Sequence, residues 1–173
     1  MARISPIDEK THPELAALAA DIRKLRSGNL SHLYGTLLNS PPVAAGWLKL
    51  LTAVRWETKI AGSYRELAIL LVAIINGADY EYKSHVPHAL AEGVTQRQID
   101  ALRAWGDSDA FDEKSRAVLA YTEAMTRDVR VSDDVFAAIQ AFLDARGIVE
   151  LTAVIASYNL VSRFLVALKV GEP

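Results

Sequence analysis

The sequence predicts an all-α fold, a compact bundle of about seven or eight helices, on the strength of three observations. Apolar residues recur at spacings of three and four along most of the chain, and the strict alternation typical of half-buried strands is missing. Capping residues, glycines and prolines divide this pattern into segments of helical length. Apolar residues make up 51% of the 173 residues, enough for one core, so we predict a single domain over residues 1–173.

Three helices are expected in the first third of the chain. Residues 11–14 have the pattern of a capping box with an early proline, which predicts a helix that ends near residues 27–28. A short helix over about residues 30–38 is broken by the adjacent prolines at 41–42. Another helix is expected over residues 43–56.

Two helices joined by a tight turn are expected in the middle of the chain. Residues 63–66 match a second capping box and open an apolar helix that Gly77 ends. Asp79 is expected to cap the next helix, which runs to Gly93. Pro87 lies inside that helix and removes a backbone hydrogen bond, so we expect a kink or a break there.

Four helices are expected in the remainder of the chain. Residues 95–98 match a third capping box, which opens a short helix ending near residues 105–106. The apolar periodicity then predicts three longer helices, over residues 112–126, 132–145 and 148–168.

Composition and charge argue against several classes of partner. The chain has 19 basic and 21 acidic residues and no basic block longer than Arg23-Lys24, so we expect no nucleic-acid partner. Residues 147–170 are strongly apolar but include Glu150, Asn159, Arg163 and Lys169, which predicts a buried helix rather than a membrane span. Residues 1–10 contain no apolar signal core, and the expected location is the cytoplasm.

A cluster of acid and imidazole side chains is predicted around the turn at Gly77. Glu81 and His85 are four residues apart and share one helix face, with His88 three residues further along. If Gly77 is the pivot of a helical hairpin, Glu66 lies about 16 Å along one arm and His85 about 12 Å along the other. A carboxylate beside an imidazole suits proton transfer near neutral pH.

Structural roles for the same residues remain open at this point. Glu66 fits the third position of a capping box, and Glu81 fits the first helical turn, where acids favour the helix dipole. His85 and His88 are also compatible with interface positions. A metal site formed by Glu81, His85 and His88 has acceptable spacing, but it matches no standard zinc signature, and we predict no metal.

The ordered motifs resemble the carboxymuconolactone decarboxylase and alkylhydroperoxidase-D-like (AhpD-like) superfamily over about residues 30–168. The ordered combination of Glu66, Glu81, His85 and Gly93 is the most specific part of this resemblance. The segments that carry it are residues 64–70, 76–82, 85–90, 92–93 and the closing helix over 153–168. The resemblance implies a helical bundle of the AhpD-like type and a homo-oligomer, either a trimer or a hexamer.

The peroxidase branch of this family uses a Cys-x-x-Cys pair, a histidine four residues later and an upstream glutamate. The resemblance places the two cysteine positions on Ala78 and Glu81, the histidine on His85 and the glutamate on Glu66. The sequence contains no cysteine, so disulfide-based peroxide reduction is excluded.

The decarboxylase branch also lacks the cysteine pair and uses no cofactor. It therefore implies a cofactor-free lyase or isomerase that acts on a small carbonyl compound or lactone carboxylate, with Glu66, Glu81 and His85 as catalytic residues. Candidates for binding the substrate are His88, Tyr82 and Arg163. The alternative is a catalytically silent, oligomeric small-molecule-binding protein.

Overall fold

The fold is all-α, as predicted. The computed structural model describes residues 2–26 and 28–171, and within these ranges it contains nine α-helices and no strand. The helices are α1 (Ala16–Leu25), α2 (His32–Leu37), α3 (Pro41–Thr52), α4 (Gly62–Asn76), α5 (Asp79–Ala91), α6 (Gln96–Ala101), α7 (Glu113–Arg127), α8 (Asp133–Gln140) and α9 (Ala145–Leu168).

The chain divides into two units. One comprises the described parts of Met1–Glu57 and Ala167–Pro173, and the other comprises Thr58–Val166. In the first unit, α1 and α2 each pack against α3, which continues into a π-helical turn at Ala53–Glu57. The single-domain organisation stays a prediction.

In the second unit, α4 is the central helix and packs against both α5 and α7, while α8 packs against α7. Nine consecutive residues of α4 are buried, from Arg65 to Ala73, so this helix is enclosed on all sides along that stretch. Its apolar side chains meet those of the neighbouring elements in one hydrophobic cluster. The buried members are Leu67, Leu70, Leu71, Ala89, Val94, Ile99, Leu102, Phe111 and Leu119.

The turn between α4 and α5 forms the predicted helical hairpin. Gly77 ends α4 in the left-handed conformation, with φ of 66°. The Ala78 N–H donates to the Ala73 carbonyl at 2.8 Å, which closes the helix end in the manner of a Schellman motif. Asp79 is the first residue of α5 rather than its cap, and α5 continues through Pro87 without a break.

Of the three predicted capping boxes, one is present. Thr95 accepts a hydrogen bond from the Gln98 backbone, and the Gln98 side chain accepts one from the Thr95 backbone. The box at residues 11–14 is wrong, because the Thr11 hydroxyl donates to the Asp8 carbonyl and α1 begins only at Ala16. The predicted end of this helix at residue 27 lies outside the described residues.

The box at residues 63–66 is also wrong. The cap of α4 is Ala61, which makes no side-chain capping bond, and the Glu66 carboxylate instead contacts other side chains. The contacts of Glu66 with His85 and Arg65 thus take the place of the capping hydrogen bond that the sequence pattern indicated.

The closing helix α9 is bound to the end of α4 by a polar network. The Asn76 amide donates to Asn159 Oδ1 at 3.1 Å and to Ser162 Oγ at 2.7 Å, and the Asn159 amide donates to Thr126 of α7. Among the described residues, α9 alone is long and apolar enough to cross a membrane, and 44% of its most apolar stretch is buried. A core helix passes the same test, so the absence of a membrane partner stays a prediction.

Candidate active site

Glu66 and His85 form a buried pair across the hairpin. Glu66 Oε2 lies 2.7 Å from His85 Nδ1, although the two residues are 19 positions apart in sequence. Glu66 is 1% exposed and His85 is 7% exposed. Because a carboxylate can only accept, Nδ1 carries the proton of this hydrogen bond, and Nε2 is then the atom through which the ring exchanges protons.

The carboxylate of Glu66 also contacts a buried arginine. Arg65 Nε donates to Glu66 Oε1 at 3.2 Å, and Arg65 Nη2 donates to Glu92 Oε1 at 2.7 Å. Burial acts to raise the pKa of Glu66, but the hydrogen bond and charge of His85, together with Arg65, hold this pKa below its ordinary value. Glu66 is therefore a carboxylate at neutral pH.

Glu81 is the other buried acid of the hairpin. It lies in the first turn of α5, one turn before His85, and is 2% exposed. Neither of its side-chain oxygens has a hydrogen-bond partner among the described residues. Burial raises the pKa of Glu81 well above its ordinary value, so the protonated acid is favoured.

Two aromatic rings lie beside His85. The ring of Tyr158 on α9 contacts it edge-on, with centroids 5.0 Å apart and planes at 87°. The ring of His88 lies 5.5 Å away and belongs to an exposed residue. The sequence analysis did not place Tyr158 in the site, because its contact with His85 joins distant parts of the chain and leaves no local pattern.

The other two candidates for substrate binding lie elsewhere in the second unit. Tyr82 is half-buried and packs against the hydrophobic cluster that contains Leu70 and Leu119. Arg163 is exposed, and its guanidinium donates to the side chain and carbonyl of Asn159 on its own helix. The structure therefore unites Glu66 and His85 directly, places His88 beside them, and holds Arg163 in a different set of contacts.

An open groove of about 420 Å³ lies between the start of α4 and the connection from α8 to α9. Tyr64 and Phe142 line it, with rings 5.8 Å apart, and Glu150 accepts hydrogen bonds there from the Lys59 and Ile60 backbones. None of the candidate site residues lines this groove.

Within residues 2–26 and 28–171, no three His, Cys, Asp or Glu side chains are grouped so that they could hold a metal ion. The two positions that the resemblance matches to redox cysteines are Ala78, buried at the cap of α5, and Glu81.

The fold and site together define a class: an all-α domain whose central helical hairpin carries a buried glutamate–histidine pair. The sequence model of the carboxymuconolactone decarboxylase family matches residues 41–124, which contain this hairpin. About half of the chain therefore matches the carboxymuconolactone decarboxylase family, and the sequence contains no cysteine.

Individual proteins are also similar to this chain. The uncharacterized protein YdfG of Bacillus subtilis (strain 168) is 26% identical over 114 residues, which cover 65% of this chain and 78% of YdfG. A solved structure from Agrobacterium tumefaciens matches this chain with a TM-score of 0.74 at 24% identity. That protein is of unknown function and carries the name of the antioxidant defence protein AhpD. The match covers 79% of this chain and 94% of that protein.

A further solved structure shares the fold over nearly the whole chain. The debrominase Bmp8, in a complex of its cysteine-to-alanine variant with 2,3,4-tribromopyrrole, matches with a TM-score of 0.81 at 18% identity. The match covers 98% of this chain and 91% of Bmp8. Identities this low show the fold alone.

Proposed function

We propose that this protein is a cofactor-free acid–base enzyme, a lyase or isomerase of the carboxymuconolactone decarboxylase type that acts on a small carbonyl compound or lactone carboxylate. The observation that supports the proposal most strongly is the 2.7 Å contact between Glu66 and His85 inside a buried site. A carboxylate that fixes one ring nitrogen of an imidazole leaves the other nitrogen oriented for proton transfer.

The two buried acids have different roles in this proposal. Glu66 stays ionised and orients His85, whereas Glu81 stays neutral and is able to donate a hydrogen bond to an oxygen on which charge develops. Environments that separate the pKa values of two neighbouring acids are typical of acid–base sites.

Decarboxylation gives the most specific form of the proposed reaction. The bond between the ring carbon and the carboxylate breaks, CO₂ leaves, and the electron pair moves onto the lactone carbonyl as a dienolate. Glu81 stabilises the negative oxygen, and the protonated His85 delivers its Nε2 proton to carbon. Solvent then returns a proton to the ring.

The experiment is a screen of lactone carboxylates and β-keto acids with purified protein, followed by CO₂ release and by deuterium incorporation from D₂O. His85→Ala is expected to abolish turnover while the helical circular dichroism is retained. His12→Ala is the matched control, because His12 pairs with Glu14 in the first unit, and it is expected to keep full activity. Full activity of His85→Ala would refute the proposed role.

A small-molecule-binding protein without catalysis is the second candidate function. It is favoured by the replacement of both redox positions of the peroxidase branch, which are Ala78 and Glu81 in this chain. The Bmp8 complex supports a small organic ligand for this fold. Thermal-shift titration separates the two functions, because a binding protein would be stabilised by a ligand that is recovered chemically unchanged.

A further inference from the structure

The Glu66–His85 pair continues into a chain of contacts that reaches the surface. Arg65 is 7% exposed and bridges two carboxylates, that of Glu66 inside the hairpin and that of Glu92 at its open end. The side chain of Glu92 is 40% exposed. Four charged or chargeable groups are thus in series from the surface to the imidazole of His85.

The outer end of this series depends on a glycine. Gly62 is the first residue of α4, and Glu92 directly follows α5, so the hairpin brings them together. A Cβ atom at position 62 would lie 1.8 Å from Glu92 Oε2, closer than any two such atoms can approach. A side chain at position 62 would therefore force the Glu92 carboxylate to move from the position in which it contacts Arg65.

We propose that Arg65, Glu92 and Gly62 form a positioning arm for the Glu66–His85 pair. Arg65 directs the Glu66 carboxylate towards His85 and opposes protonation of the pair, while Glu92, seated against Gly62, holds Arg65 and moderates its charge. The effect of the arm on catalysis rests on the proposed function. Its effect on the titration of the His85 ring is measurable in a protein without turnover.

The burial of Arg65 distinguishes this arm from the other ion pairs of the second unit. The side chains of Arg97 and Asp109 are 67% and 86% exposed, and those of Arg127 and Glu123 are 55% and 33% exposed. Arg146, which pairs with Glu150, is 53% exposed. Exposed pairs contribute little, because water and salt screen them. The Arg65 and Glu66 side chains are 9% and 1% exposed, so their charges act at close range with little screening.

Other titratable groups also surround the pair, and their effects are separable from that of the arm. Tyr121 of α7, which packs on α4, is hydrogen-bonded to Thr152. On α5, Glu81 lies one turn before His85, and the His85 ring contacts the rings of His88 and of Tyr158 on α9. These residues stay the same in every variant of the arm. A difference in the His85 titration midpoint between such variants therefore reports on Arg65 and Glu92.

The charges of the arm predict opposite effects for its two members. Loss of the Arg65 cation favours protonation of the pair, which titrates as a unit. Loss of the Glu92 anion leaves Arg65 without its second partner and disfavours protonation. A purely structural contact would give no such opposition of sign.

The test is an NMR titration of the His85 ring in the full chain, with the signal assigned by its absence from His85→Gln. In Arg65→Gln the midpoint should rise by about one pH unit, and in Glu92→Gln it should fall by a few tenths of a unit. Arg65→Lys, which keeps the charge, should stay near the wild-type midpoint. Arg97→Gln is the control and should leave the midpoint unchanged.

Gly62→Ala tests the geometry without a change of charge. Its Cβ displaces the Glu92 carboxylate, so its midpoint should move in the same direction as that of Glu92→Gln. Gly46→Ala is the matched control, because a Cβ there meets no atom within 4 Å. If Arg65→Gln fails to fold, Glu92→Gln and Gly62→Ala decide the question.

The proposal of a positioning arm would be overturned if the midpoints of Arg65→Gln and Glu92→Gln shift in the same direction or do not shift. Intact opposite shifts in a protein without turnover would support the arm while counting against the proposed enzyme. Turnover that depends on His85 but is accompanied by no shifts would support the enzyme and overturn the arm.

Discussion

Glu66 and Glu81 lie on adjacent arms of one hairpin and are both almost fully buried, yet their pKa values move in opposite directions. The difference arises from their partners. Glu66 contacts His85 and Arg65, whereas the Glu81 oxygens have no hydrogen-bond partner among the described residues. The two arms of the hairpin thereby carry one carboxyl group with a lowered pKa and one with a raised pKa.

The neutral state of Glu81 should be visible in the pH dependence of stability. Its folded-state pKa is raised, so the native protein keeps a proton that the unfolded chain releases above about pH 4.5. We expect the free energy of unfolding of the wild type to fall relative to that of Glu81→Gln as pH rises above this value, because the unfolded chain releases the proton that the folded protein keeps. Urea unfolding at a series of pH values measures the difference.

Glu57→Gln is the control for that series, since Glu57 is exposed at the end of the π-helical turn. Its stability should stay parallel to that of the wild type across the range. A constant difference between the wild type and Glu81→Gln from pH 4 to 8 would contradict a neutral Glu81.

Glu66→Gln should reduce both activity and stability. We expect kcat to fall by about 10²-fold, because an amide cannot stabilise the charged imidazole as a carboxylate does. Removal of one partner from a buried ion pair should cost about 3 kcal/mol at neutral pH. Since the pKa of Glu66 is lowered, this advantage of the wild type should disappear as pH falls below about 4.5. Paired kinetic and urea measurements on the two proteins check both effects.

Gly77→Ala should weaken the hairpin. Gly77 has φ of 66°, a conformation that costs a residue with a Cβ about 1 kcal/mol. Thermal unfolding should show a lower Tm for this variant, whereas Gly46→Ala, inside α3 and without neighbours for its Cβ, should be neutral or slightly stabilised. Equal Tm values for the two variants would contradict the role of Gly77 as the pivot.

Association of the chain into a trimer or hexamer remains a prediction from the resemblance. Val149 and Leu160 are 68% and 45% exposed and lie about three turns apart on one face of α9. We expect the double substitution of both residues by Glu to yield a folded monomer from an oligomeric wild type. Light scattering coupled to size exclusion gives the masses; a monomeric wild type would end this prediction.

The sequence predicted the hairpin and the proximity of Glu66 and His85 across it, because both follow from the helix end and from helix geometry. The Asn76-Gly77 pair specifies a helix end, and the fixed rise of an α-helix places the two side chains at similar heights. Thr95 and Gln98 were recognised as a capping box for the same reason, since all the atoms involved lie within one turn.

What the sequence did not predict depends on tertiary packing. Tyr158 reaches His85 from α9, and no spacing rule connects positions so far apart. The raised pKa of Glu81 follows from burial by other segments, which a helical periodicity does not reveal. The sequence pattern around Glu66 fits a capping box as well as a site residue. Only the contacts with His85 and Arg65 decide the orientation of its side chain.

The two-residue link between α4 and α5 also has a kinetic consequence. Closure of so short a connection costs little chain entropy, so contacts across it form on the timescale of the fastest folding events. Glu66 and His85 therefore need no long-range docking to meet. Slow steps in refolding should belong to the attachment of α9 through Asn76, and recovery of secondary structure should precede recovery of the Tyr158 environment.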